Sequence, residues 1–175
     1  FAGSTGSQAA TRALMRTDFT ASRLAVEALA WTKPPGVTSA GEAVLILQNG
    51  TLQRIEGIRI TAPDALARAV ALDARDNIPR RIVIQEGRLG RSRITGELFP
   101  PQAAAAGWQV ALRGPVLDLA PVMSAPTAPP ADASEMRGPG VAIEARFDRM
   151  LLPADRALGA VNASARVDAA GVVLA

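Results

Sequence analysis

The chain has 175 residues, a formal net charge of +3, and a composition that is 49% apolar yet only 3% aromatic. It contains no cysteine and no histidine, which excludes disulfides, thiol chemistry, most transition-metal sites and the Ser–His and Cys–His pairs of nucleophilic catalysis. No apolar run approaches the ~18 residues of a membrane-spanning helix, the longest being Ala43-Val44-Leu45-Ile46-Leu47.

Residues 1–10 are small and polar and read as a loop or frayed end. Residues 12–19 fit a strand. Residues 22–28 fit another, with a helix over 21–30 as the alternative, because Ala, Leu and Glu favour it. Trp31-Thr32-Lys33-Pro34-Pro35-Gly36 ends that element, and Trp31 reads as a plug against the end of a sheet. A strand at 42–48 meets Asn49-Gly50, the strongest hairpin signal in the chain, because both residues tolerate positive φ. The return strand runs over 51–61, with Gly57 placed for a bulge. After a turn at Pro63-Asp64, residues 65–73 carry Leu66, Val70 and Leu72 on one face and alanines on much of the other.

The most regular stretch is RRIVIQEGRLGRSRITGELF, residues 80–99. Ile82 and Ile84 alternate with Arg81, Val83 and Gln85. Ser92, Ile94, Gly96 and Leu98 then alternate with Arg91, Arg93, Thr95 and Glu97. A period of two sends each set to its own side of a pleated sheet. Residues 108–113 make a further strand, Gly114-Pro115 breaks it, and residues 117–123 fit a short helical turn with Asp118 near its start. Residues 124–140 are Pro, Ala, Ser and Gly with few large apolar side chains, the composition of a linker. Beyond it, Val141, Ile143, Ala145, Phe147, Arg149 and Leu151 share one face of a strand. Val161, Ala163, Ala165 and Val167 share a face of the next, and a last strand follows Gly171. About ten strands joined by hairpin chemistry make the chain all-β, an antiparallel meander.

Carboxylates offer the one route to catalysis, as Asp64 with Asp73 or Asp76, or Glu144 with Asp148. They fall at turns or on polar strand faces, where solvated Asp and Glu are routine, so the expectation is no catalytic residue, no metal and no cofactor. Eighteen of the nineteen basic residues are Arg, the exception being Lys33, and they are interspersed with acids. A nucleic-acid binder concentrates its charge and adds stacking rings, so none is expected as a partner. The Phe1 start and the apolar end at Ala175 suggest a piece of a longer protein.

A W-x-K-P-x-G turn at Trp31–Gly36, the Asn49-Gly50 turn, and Gly90-Arg91-Ser92-Arg93-Ile94-Thr95-Gly96 stand in a recognisable order. Leu112-Arg113-Gly114-Pro115-Val116-Leu117-Asp118-Leu119-Ala120-Pro121 follows. Together they resemble the AsmA-like domain of YhdP-type proteins, in the AsmA/TamB superfamily of bacterial envelope proteins. The resemblance covers residues 10–123, and residues 141–175 look like the first strands of the next section. It implies a curved β-meander forming an open groove, no catalytic residues, and a periplasmic place in a parent anchored to the inner membrane. It also implies movement of phospholipids between inner and outer membranes, the partners being acyl chains and neighbouring β-sections of the same chain. The candidate groove lining is Leu66, Val70, Leu72, Ile82, Ile84, Ile94, Leu98, Val110 and Leu112. Small aliphatic side chains suit a trough, since they line it without filling it. The alternative is a structural module of the envelope, with the same sheet closed over its own apolar face.

Overall fold

A computed structural model describes residues 10–26, 29–103, 107–124, 140–168 and 171–174. Nearly all of them lie in strands. In chain order these are β1 (Thr11–Asp18), β2 (Leu24–Val26), β3 (Trp31–Lys33), β4 (Ala40–Gln48), β5 (Thr51–Ala62) and β6 (Ala65–Leu72). Then come β7 (Arg81–Leu89), β8 (Ser92–Phe99), β9 (Trp108–Asp118), the helical turn α1 (Ala120–Ser124), β10 (Val141–Leu151), β11 (Ala157–Asp168) and β12 (Gly171–Leu174). β2 and β3 form a small hairpin; the other ten make one sheet in the order β1-β4-β5-β6-β7-β8-β9-β10-β11-β12. Its two end strands are not neighbours, so the sheet does not close into a barrel. All pairings are antiparallel except β9 with β10, which is parallel. Residues 141–174 therefore continue the same ladder. Of the expected linker, residues 125–139 lie outside the described residues, as do the terminal residues 1–9.

The fold is an all-β curved meander, and its bends have identifiable causes. Register shifts fall at residues 56–57 of β5, at 85 of β7 and at 114–115 of β9, on alternate strands of the sheet, with a further one at residue 53 of β5. Each extra residue bends its strand and increases the local twist. Gly57, with φ 56°, occupies the first as expected. At the third, Gly114-Pro115 bends β9 without ending it, because a proline inside a bulge leaves no ladder bond unmade. The strand consequently runs on to Asp118, and the helical turn starts at Ala120. Asp118 caps that turn, accepting the Ala120 N–H at Oδ1 (3.1 Å). It is also held by Arg91 through Nε to Oδ2 (2.7 Å) and Nη2 to Oδ1 (3.2 Å).

Asn49 (φ 52°) and Gly50 (φ 76°) both take the left-handed conformation that a two-residue hairpin requires. The segment around Trp31 departs from expectation: Trp31-Thr32-Lys33 is a strand paired with β2, and the turn is confined to Pro34-Pro35-Gly36. Lys33 explains why. Its Nζ is buried and donates to the carbonyls of Phe19 (2.8 Å), Val37 (3.0 Å) and Thr20 (3.2 Å), tying the hairpin to both ends of the β1–β4 connection. Three converging acceptors suit the three donors of an ammonium and not a planar guanidinium. That accounts for the only lysine in a chain that otherwise uses arginine. Lys33→Met is expected to cost about 2–3 kcal/mol in chemical denaturation, and Lys33→Arg to recover little of it. A Lys33→Arg chain as stable as the wild type would contradict this reading.

An uncharged sheet face as the candidate functional site

Register decides which side chains share a face, because directly paired residues point the same way. Starting from β9, Leu112 pairs with Gly96 and Val110 with Leu98. Leu98 pairs with Ile82, Gly96 with Ile84, and Ile94 with Gly87. Ile82, Ile84, Ile94, Leu98, Val110 and Leu112 thus lie together on one side, as the alternation of residues 80–99 and 108–113 predicts. All six are half-buried.

Leu66, Val70 and Leu72 do not join them. Leu66 pairs with Arg88, Val70 with Val83 and Leu72 with Arg81, all on the opposite side. Their place beside Ile82 and Ile84 is taken by Ala71 and Ala69, with Ala67 and Ala65 continuing the row. The alternation of residues 65–73 separates two sets correctly, but the larger apolar set faces the charged side. There Leu66 is buried between its paired neighbours Arg88 and Thr61, and a long arginine side chain can cover apolar surface with its methylenes while its guanidinium stays in water.

Following the pairs outward extends the face in both directions. Ile55, Ile58 and Ile60 join from β5, Leu45 and Ala43 from β4, and Ala13 and Met15 from β1. Towards the other edge come Val141, Ile143, Ala145 and Phe147 from β10, with Val161 and Ala163 from β11. Beyond Phe147 the expected alternation fails. Arg149 pairs with Val116, which pairs with Arg93, so Arg149 sits on the charged side. The bulge at 114–115 carries this change of phase across the sheet. Every described residue that pairing assigns to the first side is uncharged, and polar only at Thr11, Thr17 and Ser92.

Charge is confined to the other side. Glu56 pairs with Arg54 (2.7 Å) and Arg12 (3.0 Å), Arg81 with Glu97 (2.6 Å), and Arg68 and Arg88 both approach Glu86 (3.5 and 3.6 Å). The Arg81 hydrogen bond holds Glu97 below the usual glutamate range, and the Arg54 hydrogen bond, aided by Arg12, does the same for Glu56. Hydrogen bonds from the Thr20 side chain and N–H lower Asp18 likewise. A carboxylate depressed in the folded state contributes stability that is full at neutral pH and disappears as pH falls through its folded value. Denaturation midpoints are therefore expected to drop between neutrality and about pH 3, with a shallower slope for Glu97→Gln. Equal slopes would remove Glu97 from the account.

No second layer covers the uncharged face among the described residues. Every extensive contact between elements joins hydrogen-bonded neighbours in one sheet. Small side chains on that face are nonetheless shut off, Ala71 of β6 at 1% exposure and Ala43 of β4 at 4%. Exposure rises towards the edges, with Met15 on β1 at 51% and Ala163 on β11 exposed. Near one end of the strands, the Phe19 ring packs on Gly41, where a Cβ would stand 2.6 Å from it.

Ten strands at ~4.8 Å spacing carry the face for roughly 43 Å, and eight residues per strand give it a width of about 26 Å. The face thus spans a projected area of roughly 1,100 Å². Among the described residues no three acidic side chains gather as a metal site, and no helix is long and apolar enough to cross a membrane. No family model, curated protein or solved structure matches the chain.

Proposed function

We propose that this chain is a section of a lipid conduit, a curved β-groove whose uncharged face carries phospholipid acyl chains. One observation carries the reading: among the described residues, one face of the sheet runs from β1 to β11 without a single charge and without a covering layer. Leaving a sixteen-carbon chain in water costs about 0.8 kcal/mol per methylene, roughly 13 kcal/mol in all, and a continuous apolar trough removes that cost along its length. Because groove and bilayer are both hydrocarbon-like, a chain can slide between them without being trapped. A length of roughly 43 Å exceeds the ~30 Å hydrocarbon core of a bilayer, so more than one acyl chain fits end to end. The open edge strands, β1 and β12, suit a section that continues into others on either side.

The sequence resemblance to the AsmA-like domain of YhdP-type proteins supports the same reading and adds its setting. In that setting the section stands in the periplasm and neighbouring β-sections of the same parent, anchored to the inner membrane, complete a path to the outer membrane. The reading assigns the chain no catalytic role. Photo-crosslinking probes placed at residues 84 and 94 of the delipidated chain are expected to capture radiolabelled phospholipid supplied from vesicles. Absence of any lipid adduct at both positions sinks the conduit and leaves a structural module of the envelope.

A further inference from the structure

A recess where the turns after β5 and β7 meet draws its lining from both the uncharged and the charged face. The turn at Pro63-Asp64 and the turn at Gly90-Arg91 lie side by side, stitched by the Gly90 N–H donating to the Asp64 carbonyl (2.8 Å). Between them is a depression of about 270 Å³ lined by Ala62, Asp64, Ala65, Arg88, Gly90 and Arg93. Ala62 and Ala65 pair with each other and Ala65 with Leu89, so both alanines belong to the uncharged side. Arg88 and Arg93 pair with each other on the charged side.

Directly paired arginines recur on the charged side, at Arg59–Arg68 and Arg113–Arg146, but here both members line one recess. Like charges placed directly opposite across two strands repel, so an anion held between them relieves the repulsion. Among the described residues Arg88 makes one long contact, to Glu86 at 3.6 Å. Arg93 is steadied by Nη1 donating to the carbonyls of Gly90 and Ser92, both at 2.8 Å, which leaves Nη2 and Nε for another partner. Two guanidiniums at an exposed rim form a fork for a phosphate, and the Asp64 carboxylate lining the same recess complements a nearby ammonium.

We infer that this recess seats the headgroup of a zwitterionic phospholipid, its phosphate between Arg88 and Arg93 and its amine at Asp64. The acyl chains run from it past Ala62 and Ala65 onto the uncharged face. The inference rests on the conduit reading and goes beyond it by naming a headgroup class and a point of attachment. It makes the groove a row of hydrocarbon with at least one polar station at its rim.

The test uses the delipidated chain and three probes delivered from cyclodextrin: dioleoyl phosphatidylethanolamine, dioleoylglycerol and glycerophosphoethanolamine. The wild type is expected to bind the first about tenfold more tightly than the second, and the third much more weakly than either. In Arg88→Gln/Arg93→Gln the preference should fall to about one while dioleoylglycerol binding is retained. Arg88→Lys/Arg93→Lys keeps both charges and should keep most of the preference, which separates loss of charge from loss of fold. Asp64→Asn should bind the amine-bearing lipid less well and dioleoylglycerol equally. A preference that survives the double glutamine change overturns the headgroup seat and leaves the conduit standing. Glycerophosphoethanolamine binding as tightly as the whole lipid would mean that the acyl chains gain nothing from the uncharged face, which overturns the conduit and the inference that rests on it. Failure of every acyl-bearing probe to bind overturns both.

Discussion

Replacing Gly96 with alanine is expected to lower the melting temperature by roughly 5–10 °C, although it adds one methyl group. Gly96 lies in the middle of β8, paired with Leu112 and buried, and its backbone conformation is open to any residue. The constraint is space. A Cβ there would run into the carbonyl oxygen of Ala111 and stand 3.1 Å from the Leu112 Cα. Both are backbone atoms of the neighbouring strand, so no flexible side chain can yield. The ladder between β8 and β9 must part instead, at a cost of about 2–3 kcal/mol. Gly114 repeats the arrangement one strand further on, its missing Cβ facing the Arg93 carbonyl and, at 3.2 Å, the Phe147 ring. Gly50 provides the contrast. Nothing lies within 4 Å of a Cβ there, and its φ of 76° is the whole constraint, so Gly50→Ala should cost about 1 kcal/mol. Thermal unfolding followed by circular dichroism ranks the three. Gly96→Ala melting with the wild type would mean that β8 and β9 are further apart than described.

Close approach of this kind leaves no mark in a period-two pattern, and the same limit explains what the sequence yielded and what it withheld. Within residues 80–99 the alternation is strict enough to assign both faces of β8, and of β7 up to Ile84, including the charged row of Arg93, Thr95 and Glu97. Asn49-Gly50 and the Asp118 cap were legible for a different reason: each needs a particular residue type, so composition announces it. Bulges need no such residue. Gln85 carries nothing that distinguishes a change of phase, yet a shift of one residue sends everything beyond it to the other side. β6 was misread for a related reason. Alternation divides Leu66, Val70 and Leu72 from Ala65, Ala67, Ala69 and Ala71, but does not say which set meets Ile82 and Ile84. Size suggested the leucines; the pairing with β7 selects the alanines. Lining residues on β5 and β10, Ile55, Ile58 and Ile143 among them, carried the same alternating signal as those named.

That correction gives the sharpest test of the groove, because two residues of similar size fall on opposite sides. Ile84→Glu is expected to reduce acyl-chain binding by more than about tenfold, while Val70→Glu leaves it within about twofold. Ile84 pairs with Ala69 and Gly96 in the middle of the uncharged face, so a carboxylate there would have to stay hydrated within the path of the lipid. A chain passing it loses contact with the sheet over several methylenes, each worth about 0.8 kcal/mol. Because no second layer covers Ile84, the new charge keeps access to water and the sheet survives it. Val70 pairs with Val83 on the charged side, in the strand that also carries Arg68, where a further carboxylate joins existing ion pairs. Equilibrium binding of a fluorescent phospholipid to both variants, with melting curves as a check on folding, decides the matter. Equal losses at the two positions would mean that lipid does not choose between the faces. A loss at Val70 alone would place the hydrocarbon path on the side where the arginines are.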